Sequence, residues 1–204
     1  MTEVLPPLIA KMNRVKNPRR VSLAAYFKAE EKSIAKNEYH NGIITKMAGG
    51  TFNHDNLAGK AVTLINLFVE QNDLNYFVNG SDTKIRIEAY DKVVYPDAVV
   101  ICEKPEYYLG RKDTIINPLL IVEVLSKSTE GHDRSLKFDY YRSLPSFKEY
   151  VLIAQDQKRV SVFTKQNDDI WIIKDYHSET ATAILHALHD CPLSLKRLYR
   201  GLEM

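Results

Sequence analysis

The chain has 204 residues, 45% hydrophobic and 26% charged, the composition of a soluble globular protein large enough to bury a core without staples. A formal net charge of +2 permits a nucleic-acid partner without demanding one. Two distant cysteines, Cys102 and Cys191, form no CxxC pair and argue against a disulfide framework or a cysteine zinc site. Apolar runs fall short of the ~20 residues of a membrane span. The N-terminus places its charges after a short apolar patch, the wrong order for a signal peptide, so a cytoplasmic protein is expected.

Residues 1–20 carry three prolines and a basic KNPRR stretch and read as an irregular arm; 21–204 reads as one domain. Ser22 offers an N-cap to a helix over 23–36. His40-Asn41-Gly42 marks the turn of a hairpin with strands near 36–40 and 43–48. After AGG at 48–50, Thr51 or Asn53 can cap a long amphipathic helix over 53–71. Its apolar stripe is Leu57, Ala61, Leu64, Ile65 and Phe68. Strands are expected near 74–79, 83–89, 93–102 and 119–125, then, past a helix, over 147–154, 158–164 and 169–177. The tail over 178–204 reads as weakly helical. The order of elements predicts an α/β or α+β domain built on a central mixed sheet flanked by helices.

Two of these strands contain a carboxylate where a core strand wants none. Six of the seven residues from Leu119 to Leu125 are aliphatic, and the exception is Glu123. Alternation puts Leu119, Ile121, Glu123 and Leu125 on one face, and both faces are apolar, as in a strand buried between layers. Asp97 sits in the same way in VVYPDAVVI, behind Pro96. An ionised carboxylate in such a place is costly unless paired or bound to a metal. One reading is a pair of unrelated structural acids. The other is that adjacent strands aim both at one point, where Mg²⁺ needs only one or two protein carboxylates.

Beyond Glu123 a helix is expected from about 130 or 133 to 143, with Leu136, Tyr140 and Leu144 on its core face. Lys137 neighbours that face and could reach back to the carboxylates, to orient a metal-bound water or steady charge on a phosphate. The plainer alternative is a solvated i,i+4 pair with Asp133.

The set YPDAVV, LLIVEVLSKST and HDRSLKFDYYRSLPSFKEYVLI, with NEYHNGIITKMAGGTFNHDNLAGKAV upstream, resembles the Uma-type restriction endonucleases of the PD-(D/E)XK nuclease superfamily, over most of residues 30–175. The resemblance implies a restriction-endonuclease-like mixed sheet and a Mg²⁺-dependent DNA endonuclease, with Mn²⁺ as substitute, that leaves a 5′-phosphate and a 3′-hydroxyl and often works as a homodimer. It makes Asp97 and Glu123 the metal-binding acids and gives the metal the backbone carbonyl of Val124. Glu38 matches an acid that could be a third carboxylate, and His54 a residue facing the phosphate or water. The superfamily pattern wants lysine two residues after the second acid, and here that residue is Leu125. Lys137 is the candidate for a lysine moved onto the following helix, with Lys127 as fallback. Leu125 and the modest net charge favour a rival reading, a nuclease-like fold that binds nucleic acid or protein without cutting.

Other features carry less. His186 and His189 beside Cys191 lack a second set of zinc partners. Ser126 and Ser128 have no GxSxG context, and AGG at 48–50 has no following GKS or GKT.

Overall fold

A computed structural model describes residues 20–126, 131 and 133–204 of the protein. Except for Arg20, the expected N-terminal arm lies outside these residues, as does Lys127.

Helix α1 (Leu23–Glu30) starts on Ser22, whose hydroxyl accepts the Ala25 N–H. It ends six residues before its expected limit, because Asn37 gathers the following loop. The Asn37 amide donates to Glu30, Ser33 and Ala35, and these local bonds compete with helix continuation. Strands β1 (Asn37–His40) and β2 (Ile43–Lys46) form the expected hairpin, turning through Asn41 and Gly42, both at positive φ. Helix α2 (Phe52–Gln71) is capped by Thr51, whose hydroxyl accepts the His54 N–H.

The strands that follow are β3 (Tyr76–Gly80), β4 (Lys84–Ile87), β5 (Lys92–Val94), β6 (Ala98–Cys102), β7 (Thr114–Ile115), β8 (Leu120–Leu125), β9 (Glu149–Ala154), β10 (Val160–Lys165) and β11 (Trp171–Tyr176), with two more in the tail. Six form a mixed sheet in the order β11-β10-β9-β8-β6-β3, in which β8 and β9 run parallel and the other neighbours antiparallel. Five more, β2-β1-β5-β4-β7, form a second sheet. The expected mixed sheet flanked by helices is present, and the hairpin and its partners add a layer the sequence did not announce.

The expected strand over 93–102 is divided. β5 belongs to one sheet and β6 to the other, and Tyr95-Pro96-Asp97 makes the crossing. Pro96 has no N–H for a ladder, so pairing stops there. Asp97 therefore lies at the seam between the sheets.

Strand β8 is buried on both faces, as its composition requires. Leu120, Val122 and Val124 pack under α2 with Leu57, Ala61 and Ile65. On the other face Ile121 and Leu125 join Tyr141, Phe147, Tyr150 and Leu152. Glu123 points into this second, aromatic-rich layer.

The helix after β8 is short. A π turn over Asp133–Lys137 leads into α3 (Phe138–Tyr141). The wider turn shifts the phase of the side chains by about one residue. Leu136, expected inside, is 48% exposed, and Tyr141 is fully buried. The tail departs from the helical expectation too: β12 (Thr182–Leu185) and β13 (Cys191–Ser194) pair as a hairpin around a 3-10 turn over His186–Leu188, and the one α-helical segment described there is the short α4 (Leu195–Leu198). Its turn uses His189 and Asp190 at positive φ, and Pro192 sits in a two-stranded pairing that spares its missing donor.

Candidate active site

Glu38, His54, Asp97, Glu123, Val124 and Lys137 all line one pocket of about 360 Å³, walled by the Met47–Thr51 segment. Residues scattered over a hundred positions converge because the seam at Asp97 meets the end of β8, the start of α2 and the π turn.

Asp97 ends the β6 side of the ladder with its side chain. Its Oδ2 accepts the Val124 N–H at 2.7 Å and lies 3.3 Å from His54 Nε2. In this strand Leu125 gives its carbonyl to Gln155 on the β9 side. Backbone groups alternate along a strand, so the Val124 carbonyl faces the Asp97 side, like its N–H.

Glu123 is buried. Its Oε1 accepts from Lys137 Nζ at 3.0 Å and from the Tyr141 hydroxyl at 2.9 Å. Lys137 also lies 3.3 Å from Asp133 Oδ1. The i,i+4 pair anticipated for Lys137 thus exists, but it is buried rather than solvated, and it shares the ammonium with Glu123. Burial pushes the Glu123 carboxyl up to about 8; Lys137 opposes the rise, while Asp97 and Asp133 add to it. Burial also disfavours the charge on Lys137, but Glu123, Asp133 and Glu38 outweigh it and hold the ammonium well above its ordinary value. The lysine is therefore a fixed positive charge.

Glu38 uses both oxygens. Oε1 accepts the Tyr95 N–H at 3.3 Å and Oε2 lies 3.0 Å from His40 Nε2. Burial works against its charge, but the His40 hydrogen bond and Lys137 hold it below the usual range. The hydrogen bond to Asp97 raises His54 above its ordinary value against the opposing effect of burial.

Whether these residues suit a divalent cation turns on which oxygens are free. Among the described residues, none hydrogen-bonds Asp97 Oδ1 or Glu123 Oε2. No three His, Cys, Asp or Glu side chains form a metal-holding group among the described residues. What is present is two carboxylates, each with one open oxygen, and a strand carbonyl turned to the same side. That donor set fits Mg²⁺, which keeps several waters and takes few protein ligands.

Comparison with known proteins identifies the family and the fold. The sequence pattern of the family described as "Uma2: Putative restriction endonuclease" matches residues 23–196. The chain belongs to this family. Its relatives include "Uncharacterized protein sll1609" of Synechocystis sp., 35% identical over 161 residues, which are 79% of this chain and 90% of the relative. A second, "Uncharacterized protein slr1290" of the same organism, is 33% identical over 185 residues, 90% of this chain and 93% of that one. The crystal structure of "a putative nuclease belonging to DUF820" from Anabaena variabilis shares the fold, with a TM-score of 0.66 at 18% identity, covering 88% of this chain and 97% of that one.

Leu125, at the position where the superfamily pattern wants lysine, packs into the apolar layer. His186 and His189 have separate partners, Asp190 Oδ1 at 2.6 Å and the Tyr76 hydroxyl at 3.1 Å. Sequence reasoning missed Tyr141, which lies one helical turn past Lys137, and His40, whose Nδ1 lies 2.9 Å from Lys92 Nζ while Nε2 holds Glu38. A tyrosine four residues after the candidate lysine, on the same helical face, was the available signal; for His40 there was none beyond its place in the hairpin. Among the described residues, no helix is long and apolar enough to cross a membrane.

Proposed function

We propose that the protein is a Mg²⁺-dependent endonuclease hydrolysing phosphodiester bonds of DNA, with Mn²⁺ able to substitute. The observation that carries this reading is the half-buried Lys137 ammonium, 3.0 Å from Glu123, which would supply from the π turn the lysine that Leu125 withholds from the strand. Asp97 Oδ1, Glu123 Oε2 and the Val124 carbonyl would hold the ion. When bound, it supplies Lewis-acid polarisation of the phosphate and a water of lowered pKa.

The protein's own groups do the rest. Lys137, fixed as a cation, opposes the negative charge that grows on the phosphate and positions the attacking water; its raised affinity for the proton suits it to neither proton removal nor metal binding. Tyr141 fixes the Glu123 carboxylate. His54, with its proton favoured by Asp97, presents a donor at the pocket wall. Glu38, with both oxygens engaged, positions the Tyr95–Asp97 crossing rather than binding the ion. A double-strand cut calls for two such sites, which a cytoplasmic homodimer would provide.

The test is calorimetric titration of Mg²⁺ and Mn²⁺ into wild type and the D97N/E123Q double variant, followed by cleavage of single- and double-stranded DNA. The expected result is a stoichiometric binding event lost in the variant, and cleavage that needs the metal. Wild type that binds DNA but cuts neither form with either ion would overturn the proposal. That outcome would favour the binding-module reading, which the buried, apolar Leu125 supports.

A further inference from the structure

A second recess, of about 630 Å³, adjoins the candidate active site, and Thr51, Ser126 and Gln155 line both. Its volume is that of a small-molecule site. Phe52, in the first turn of α2, lines it with a side chain that is 78% exposed. An aromatic left this open two residues before His54 serves no core.

Two of the polar groups of the recess are side-chain amides, Asn53 and Gln155. Thr51 Oγ1 donates to Gln155 Oε1 at 2.6 Å, which fixes the amide and leaves its NH₂ without an acceptor among the described residues. Asn53 donates its NH₂ to the Glu203 carbonyl at 2.9 Å, and its Oδ1 receives no hydrogen bond among the described residues. One fixed donor and one fixed acceptor thus stand beside an open ring.

Charge decides what they suit. Among the described residues, the recess is lined by two acids, Asp156 and Glu203, and by no lysine, arginine or histidine. A phosphate would be repelled there and belongs with Lys137 next door. A neutral heteroaromatic ring with amino groups is accepted: its face stacks on an aromatic, its edge reads amides, and its amino hydrogens meet carboxylates.

We propose that this recess binds a single unpaired nucleobase flanking the scissile phosphate, so that the substrate is single-stranded or locally unpaired DNA. The inference rests on the endonuclease reading for its scissile phosphate. A base can lay its face on the open Phe52 ring only when it has left the duplex stack, and out of its pair its whole edge is free to meet Asn53 and Gln155.

The experiment uses single-stranded oligonucleotides carrying 2-aminopurine at successive positions, and the same strands annealed to their complements, titrated in Ca²⁺ against wild type, F52A and F52W. Wild type should quench the fluorophore at one position and prefer the single strand. F52A should lose that quench and bind about 5- to 100-fold more weakly, the cost of one stacked base, and F52W should restore both. Equal binding by F52A, or a preference of wild type for the full duplex, would overturn the proposal. Cleavage assays in Mg²⁺ separate the two readings. Cutting that is indifferent to F52A removes the base site and leaves the nuclease. Binding that depends on Phe52 without cutting removes the nuclease and leaves the base site, and wild type that binds no oligonucleotide removes both.

Discussion

Lys137 Nζ lies 3.0 Å from Glu123 Oε1, joining the π turn that follows the strand to the strand's one carboxylate. Neither residue would be stable alone. Glu123 is buried in an aromatic layer, and Lys137 finds its nearest counter-charges there and at Asp133.

Replacing Lys137 by methionine keeps the bulk and removes the charge. Loss of one preorganised electrostatic group costs about 10²- to 10³-fold in kcat. K137M should show that loss in DNA cleavage at a temperature where circular dichroism reports it folded, and K137R should recover part of it. Cleavage by K137M at the wild-type rate would remove Lys137 from the mechanism.

The Tyr141 hydroxyl gives Glu123 its second hydrogen bond, and both residues are buried. Y141F leaves a packed ring and deletes only the donor. Above about pH 8, where Glu123 is ionised, a hydrogen bond to its charge contributes about 1.5–3 kcal/mol, so in urea unfolding on the alkaline side of that value the midpoint should fall by that equivalent with an unchanged slope. An unchanged midpoint would mean that Glu123 does not rely on this bond.

Much of this arrangement is legible in the residue order. The doubly apolar β8 with one acid, the long α2 stripe, and the His40-Asn41-Gly42 turn follow from periodicity and turn chemistry, and the structure agrees at each. What was hidden depends on long-range contacts. Nothing local says that Lys92–Val94 and Ala98–Cys102 part into different sheets; Pro96 only hints at it. The π turn is equally silent, because one extra residue in a turn is a tertiary choice, and it moved Leu136 outward and Tyr141 inward. The tail misled because its leucines and alanines suit a helix, whereas Pro192 and the positive-φ pair at His189 and Asp190 decide for a hairpin.

Glu149 offers a pH-dependent readout away from the candidate site. It is fully buried and accepts from Thr164 Oγ1 and the backbone N–H groups of His186 and Ala187, which fastens the C-terminal hairpin to β9. Burial raises its carboxyl above the ordinary 4.5, and the three donors pull it part of the way back. In the window from 4.5 up to the raised value the native state holds more protons than the unfolded one, so this group's contribution to stability falls as pH rises. The stability of wild type relative to E149Q, from urea unfolding between about pH 4 and 7, should therefore shrink as pH rises. A difference that is constant, or that grows with pH, would contradict this.

Gly50 is where a methyl group would report on His54. A Cβ there would collide with Asp55 Oδ1 and come within 2.9 Å of His54 Nδ1. Asp55 is exposed and can swing into solvent, at little cost to the fold. His54 has less room: its other nitrogen is 3.3 Å from Asp97, and tilting the ring away from the methyl lengthens that approach. A displacement of about 1 Å at a reacting group costs up to about 10²-fold in rate, whereas a substitution relieved at the surface stays within about 0.5 kcal/mol. G50A should therefore melt close to wild type and cleave DNA at least about ten-fold more slowly. Equal loss of rate and of stability would point to general damage. An unaltered rate would show that the His54–Asp97 contact does not limit the reaction.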